Sequence, residues 1–441
     1  MTLTDKLKSS LFKGAMQLAL AGIVTRIIGL GNRMALSRLI GAEGLGLFQM
    51  ILPVYALLAV LSGLGLSGAV IKMVADRHAR GDRRGCLQVR KLSLQLVVAA
   101  SLSCSVLLWL ALALPLDFLP DQRILPAVRL MPAAFFFAAL SSILRGYTQG
   151  QNYMAPTALS QVGEQVVRVS LGLAAVYYLL PLGLEYALSG IVIGIIGGEI
   201  ACFSITYLMQ DRRSLFQGGG RVLTPVYREM FGLALPILLI RLSTSITQAV
   251  ESLLIPSRLQ LAGFSAAEAT TLFGHLSGMA MPIIFLPTVL IIPLATTLVP
   301  AIAAAASLRL RLRLERLLKL SLWSTTAIGA FAALFLFYLA APLTQFLYGS
   351  SAAAALVKML APLTPFAYLQ FTTAAILHGL GRPGIAVSND LAGTIISLVI
   401  IYFLTASPRW GITGVICGYT AAFTLITLAD LIFIIYLARR V

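Results

Sequence analysis

Runs of roughly twenty apolar residues recur along the whole of this chain, and nothing else in it constrains the fold as much. A helix rises about 1.5 Å per residue, so each run is long enough to cross the ~30 Å hydrocarbon core of a bilayer. Twelve runs are read, at 11–31, 46–74, 87–114, 124–144, 156–180, 187–209, 230–255, 272–301, 320–340, 353–377, 385–405 and 412–437. They are continuous rather than alternating with period two, and lipid offers backbone amides no partner, so they read as helices and exclude a β-barrel. With 59% hydrophobic and 11% charged residues over 441 positions, the composition is that of an integral membrane protein. Lys6, Lys8 and Lys13 before the first run could pass for the start of a signal peptide, but the run is long and lacks a small-residue cleavage site. It is expected to stay as the first helix.

The net charge of +17 invites a nucleic-acid reading, and the distribution of the charge removes it. With the amino terminus placed inside, 23 of the 33 Lys and Arg residues fall in inside segments, 6 in outside loops (Arg33 and Arg38 among them) and 4 within or at the edge of helices. This is the positive-inside pattern, with contact to anionic headgroups, and it predicts a multi-pass protein of the cytoplasmic membrane with both termini cytoplasmic. Cys86, Cys104, Cys202 and Cys417 are scattered without a CxxC pair, so they suggest packing rather than a disulfide framework or a zinc site.

The two halves echo each other. "SRLIGAEGLGLFQMILPVYALL" from Ser37 matches "SRLQLAGFSAAEATTLFGHLSGMAMPIIFLP" from Ser257, "ILRG" at Ile143 matches "ILHG" at Ile376, and "SGIVIG" at Ser189 matches "TGVICG" at Thr413. The offsets of 220, 233 and 224 keep their order along the chain. Six helices per half is an even number, so the copies are parallel and related by an axis along the membrane normal. The expectation is an all-α membrane protein of about twelve transmembrane helices, in two pseudo-symmetric six-helix bundles around a central cavity. An amino-terminal lobe covers 1–209, a polar cytoplasmic linker 210–227 and a carboxy-terminal lobe 228–441. That is the architecture of a rocking transporter.

Catalytic signatures are missing. No G-x-x-x-x-G-K-[ST] occurs to cradle ATP. "GLGLSG" at Gly63 and "GLGRPG" at Gly379 satisfy G-x-G-x-x-G, but neither follows a strand, and both read as packing and turn glycines. His78, His275 and His378 are too dispersed for a metal or catalytic cluster. The chain is read as no enzyme, with no cofactor and no metal site.

Polar residues inside the spans carry the information, because a charge at the bilayer centre costs at least about 2.5–3.5 kcal/mol. In the first span Gly22, Arg26, Gly29 and Arg33 recur at i, i+4, i+7 and i+11 and share one helix face. An arginine flanked by glycines can meet a large anion closely, and its planar fork suits phosphate; the alternative is a structural arginine paired with another helix. In the fifth span Gln161, Glu164, Gln165 and Arg168 form a similar stripe, and Glu164 with Arg168 is an i, i+4 pair that can neutralise itself. The seventh span, counterpart of the first, places Arg241, Ser245, Gln248 and Ser252 on one face with Glu251 at its edge, where Glu251 could compensate Arg241. Glu199, Glu251, Asp390 and Asp430 are carboxylates at membrane depth, candidates for binding a coupling ion or a proton.

Three stretches carry a resemblance: "TRIIGLGNRMALSRLIGAEGLGLFQMILPVY" from Thr25, "LRGYTQGQNYMAPTALSQVGEQVVRV" from Leu144, and the stretch "ESLLIPSRLQLAGF" from Glu251 onward to Ile302. They resemble the stage V sporulation protein B family, in the polysaccharide-flippase branch of the multidrug/oligosaccharidyl-lipid/polysaccharide exporter superfamily, alongside the lipid II flippases. The resemblance implies a flippase that moves an undecaprenyl-pyrophosphate-linked saccharide, a peptidoglycan precursor or polysaccharide unit, to the outer leaflet by alternating access, with a role in the spore cortex within its range. It places Arg26 where the lipid II flippases have a cavity arginine that receives the diphosphate, and their second first-helix arginine at or beside Asn32 and Arg33. With Arg241 and Gln248 of the seventh span these form the expected substrate site. The resemblance also implies a polar cation site made of Glu251, Asn389, Asp390 and Thr394, for Na+ or H+ as coupling ion. The second-span arginines of the lipid II flippases have no counterpart in "VYALLAVLSG", and spans thirteen and fourteen are absent from the sequence. Two other readings stand beside the flippase: a drug or organic-cation antiporter of the same superfamily, which needs acidic residues facing its substrate, and a non-transporting partner of cell-wall synthesis enzymes.

Overall fold

Because every apolar run must satisfy its backbone internally, the fold is a succession of helices, and the computed structural model describes residues 3–114, 119–210 and 224–438 of it. Most of the expected linker, at 211–223, and the extreme termini lie outside the described residues. Among the described residues, eleven helices are long and apolar enough to cross a membrane. The first two expected spans account for the difference from twelve. Both lie within α1 (Leu3–Gly63), which is two helices meeting at a kink: Gly41 is non-helical, with a φ of 65° in the left-handed region. Arg33 and Arg38, expected in an outside loop, are helical, and the break between the two runs falls just after them, at Gly41.

The first unit continues with α2 (Leu66–Ala79), α3 (Arg83–Leu112), α4 (Leu125–Gly150), α5 (Ala155–Leu179), α6 (Leu184–Leu208) and α7 (Thr224–Leu261). Leu64 and Gly65 turn the chain from α1 into α2, and a Cβ at Gly65 would stand 2.7 Å from the Ala234 carbonyl of α7. The G-x-G-x-x-G at Gly63 is thus a turn pressed against a helix, as expected. Val226, Met230 and Ala234 complete a core built from Leu66, Val70, Met73, Val89 and Ile143, and Arg77 grips Glu229 at 2.7 Å. For this reason the chain divides into compact units Met1–Ser252 and Leu253–Val441, within α7 rather than at the polar linker.

Helices α5 and α6 touch backbone to backbone. A Cβ at Gly194 would lie 2.5 Å from the Gly172 Cα and 2.6 Å from the Arg168 carbonyl oxygen, whereas one at Gly197 would meet side chains alone, the movable tip of Leu171 and, at ordinary contact distance, Val167. Without a hydrophobic drive between helices in lipid, such close approach is what holds the pair. Gly194→Ala is expected to cost about 1–3 kcal/mol, at the upper end because neither backbone can yield, and Gly197→Ala clearly less. Thermal unfolding in detergent compares them, and equal losses would refute this account.

In the second unit the expected eighth span, 272–301, is broken. Ser265 caps α8 (Ala266–Phe273) in a reciprocal box in which its backbone N–H and hydroxyl hold the Glu268 carboxyl below the usual range. A π-helical turn at Gly274–Ala280 leads into α9 (Met281–Phe285), and Pro287 then starts α10 (Thr288–Ser307). The Tyr368 hydroxyl donates to the Ile284 carbonyl at 2.6 Å beside this interruption. The unit closes with α11 (Arg311–Tyr348), α12 (Ala354–Leu360), α13 (Thr364–Gly379), α14 (Pro383–Leu404) and α15 (Ile412–Ala438). Hydroxyls tie them: Thr364 donates to the Gly329 carbonyl at 2.9 Å, Thr427 to that of Phe366 at 3.0 Å. The repeated halves break at the same place, since Gly41 interrupts the helix that carries "SRLIG" and α7 stops at the equivalent Leu261.

Candidate functional site

A charge in a membrane-spanning segment needs a partner, a cavity or solvent, and the first unit supplies all three. On α5 the expected i, i+4 pair forms, with Arg168 Nη2 donating to Glu164 Oε1 at 2.6 Å. The same nitrogen reaches Glu199 Oε1 of α6 at 3.1 Å, and that oxygen also accepts from the Tyr55 hydroxyl of α1 at 2.9 Å. Arg145 of α4 stands 3.7 Å from Glu164 Oε2. Two guanidinium and two carboxylate groups thereby close a neutral cluster drawn from α4, α5 and α6 and anchored to α1, with Glu199 only 5% exposed. Glu199 Oε2 and Arg168 Nε remain buried without a hydrogen-bond partner among the described residues.

Beside this cluster lies a cavity of about 160 Å³, lined by Asn32 and Arg33 of α1 and by Gln165 and Arg168 of α5, over an apolar wall that includes Phe48 and Ile195. Two of the expected substrate residues, Asn32 and Arg33, are brought together here. Arg26, two turns earlier on α1, is not among the lining residues; it is exposed, and the Gly22 and Gly29 positions beside it open onto free space. No carboxylate pairs with Arg26 among the described residues.

On α7, Arg241 and Gln248 are exposed while Ser245 and Ser252 are buried, so the expected stripe straddles the edge of the packed surface. Arg241 and Glu251 do not pair: ten residues along one helix separate them by about 15 Å, beyond side-chain reach. Glu251 is half-buried.

The second unit holds the other three expected cation ligands, and one of them, Asn389, donates to Asp430. This carboxylate of α15 is 1% exposed and accepts from Asn389 Nδ2 at 2.8 Å and from the Thr373 hydroxyl at 2.7 Å. Asp390, next to Asn389 on α14, accepts instead from Gln370 Nε2 at 2.8 Å. Thr394, one turn on, is half-buried. The donors to both aspartates are neutral, and neither carboxylate forms an ion pair among the described residues.

The family model of the polysaccharide biosynthesis protein matches residues 11–306, more than half of the chain. The chain belongs to that family. Its resemblance to stage V sporulation protein B holds as well: the protein of that name from Bacillus subtilis (strain 168) is 33% identical over 435 residues, covering 96% of this chain and 83% of the relative. The lipid II flippase MurJ of the same organism is 23% identical over 424 residues, covering 89% of this chain and 77% of the relative. Among solved structures, an inward-facing multidrug resistance MATE transporter of the MOP superfamily superposes with a TM-score of 0.76 at 17% identity, covering 97% of this chain and 98% of that one. A MOP superfamily transporter from Pyrococcus furiosus gives 0.60 at 18% identity, covering 98% and 96%. This member of the polysaccharide biosynthesis family is therefore an all-α membrane protein with a transporter fold.

Tyr55, Arg145, Gln370 and Thr373 are partners that the sequence had placed in no site, whereas Asp430 was among the expected candidates for a coupling ion or proton. Asp430 had a signal, a carboxylate at membrane depth. Tyr55 had none, since its partner Glu199 is 144 residues away.

Proposed function

We propose that the protein is a flippase that carries an undecaprenyl-pyrophosphate-linked saccharide, a peptidoglycan precursor or polysaccharide unit, across the cytoplasmic membrane by alternating access. The observation that carries this reading is Arg26: a guanidinium within a membrane-spanning helix, exposed, flanked by open glycine positions and free of any carboxylate pair among the described residues. A donor fork held that way has no structural debt to another helix and suits the two phosphates of a lipid diphosphate. Arg241 and Gln248 on α7 offer a second exposed cation and amide, and Asn32 with Arg33 a polar recess on α1. An organic-cation antiporter would need carboxylates where these cations stand, which weighs against that alternative. The names of the stage V sporulation protein B and lipid II flippase relatives support the substrate class and a role in cell-wall or spore-cortex assembly. The charge distribution supports an orientation with both termini in the cytoplasm, where cell-wall synthesis enzymes would meet it.

The test is leaflet-resolved flipping of undecaprenyl-pyrophosphate-linked sugars in proteoliposomes. Transport of such lipids above protein-free vesicles is the expected result; a folded protein that moves none of them would sink the reading.

Coupling by Na+ or H+ is proposed at Glu251, Asn389, Asp390 and Thr394, with Asp430 holding Asn389. A unit charge moved through 100 mV is worth about 2.3 kcal/mol, so collapsing a potential of that size should slow a charge-moving cycle by up to about fifty-fold. Proteoliposomes with an imposed and then dissipated potential or cation gradient measure this, and a rate indifferent to both would exclude coupled transport.

A further inference from the structure

Helix α11 starts with an amphipathic surface that the transport reading does not use. Leu314, Leu318, Ser321 and Thr325 are buried at helical spacing, so the opposite face, with Leu312, Arg316, Lys319, Leu320 and Trp323, points away from the unit. The single acid there, Glu315, is held by Arg311 Nε at 3.1 Å. Arg316 and Lys319 have no carboxylate partner among the described residues. These side chains and Thr326 shape an open groove of about 870 Å³ along the helix. Its polarity is graded. Leu312 and Glu315 form one end and the unpaired cations follow, and because the Thr326 hydroxyl donates to the Leu322 carbonyl at 2.8 Å the lining from Leu320 onward is apolar.

Depth fits a lipid. Trp323, 74% exposed, follows Lys319 by one turn, about 6 Å further along the axis, and exposed Phe331 follows Trp323 by about 12 Å. A single leaflet's hydrocarbon is roughly 15 Å deep, and tryptophan favours its polar boundary. We propose that this groove binds an anionic glycerophospholipid, its phosphate between Arg316 and Lys319 and an acyl chain along Leu320, Trp323 and Phe331. The charge selects the headgroup: a zwitterionic lipid brings its own cation beside its phosphate and gains little from two more, whereas an anionic one arrives uncompensated. A water-soluble acidic partner would match the cations but leave Trp323 and Leu320 uncovered.

Trp323 is its own probe. In a protein carrying Trp109→Phe and Trp410→Phe, Trp323 is the remaining tryptophan of three. Reconstituted in phosphatidylcholine vesicles doped with equal fractions of brominated phosphatidylglycerol or brominated phosphatidylcholine, its fluorescence should report a local enrichment of the anionic lipid on the order of tenfold. Arg316→Gln with Lys319→Gln should abolish the excess quenching, while Lys91→Gln, outside the groove, should preserve it. Equal quenching by the two lipids, or an excess that survives the double glutamine change, overturns the proposal. If the tryptophan substitutions prevent folding, mass spectrometry of lipid retained by the otherwise unaltered protein decides: anionic phospholipid lost on Arg316→Gln/Lys319→Gln supports the site, and unchanged retention refutes it.

Discussion

Arg26→Ala is expected to abolish flipping while leaving the protein folded in the membrane. Hydrogen bonds to a charged group are worth about 1.5–3 kcal/mol each, so losing a two-pronged contact to a diphosphate removes about 3 kcal/mol or more, a hundredfold or greater fall in transport. Stability should be spared, because Arg26 is exposed and no carboxylate depends on it among the described residues. Arg26→Lys keeps the charge and loses the fork, and an intermediate rate is expected. The proteoliposome assay reads all three proteins side by side, with melting temperatures as the control. Wild-type flipping by the alanine variant would remove Arg26 from the substrate path.

Arg168→Met should do the reverse, damaging the fold first. Arg168 stands between Glu164 and Glu199, at 2.6 and 3.1 Å, and all three side chains are largely shielded, with 24%, 12% and 7% exposure. Taking the guanidinium away leaves two buried carboxylates facing each other with only the more distant Arg145 as counter-charge. Breaking a buried ion pair from one side costs about 3–5 kcal/mol. Adding Glu199→Gln restores neutrality and should recover part of that loss, which makes the pair a double-mutant cycle rather than a single deletion. Unfolding in detergent measures each arm. A single variant as stable as the wild type would mean the cluster adds nothing to the glycine-mediated packing of α5 on α6, and Arg168 would then belong with the cavity it lines.

Much of the fold was legible because the bilayer simplifies the problem: length and apolarity alone locate a span. The exceptions are instructive. The segment around Arg33 and Arg38 looks like a loop by charge, yet arginine is a good helix former, so the helix runs through both and breaks only at Gly41. The run at 272–301 looks like one span by hydropathy, yet Pro287 and the π-turn divide it, and hydropathy is blind to backbone donors. At the site, residue type was readable and partnership was not. Glu164 and Arg168 could be paired on paper because four residues separate them; Tyr55 with Glu199, or Asn389 with Asp430, meet only through tertiary packing. The alternative of Arg241–Glu251 compensation fails on reach, since one helix keeps them about three turns apart.

The bend in α1 has a mechanical consequence. Tyr55 ties the arm beyond Gly41 to Glu199, so that side is a fixed mounting, and Arg26 sits fifteen residues out on the other arm, about 22 Å from the pivot. A rotation of only about 10° at this one glycine would sweep the guanidinium through roughly 4 Å, further than a hydrogen bond spans. The kink thus sets a long lever arm, on which a small change of angle at one peptide unit becomes an ångström-scale displacement at the guanidinium.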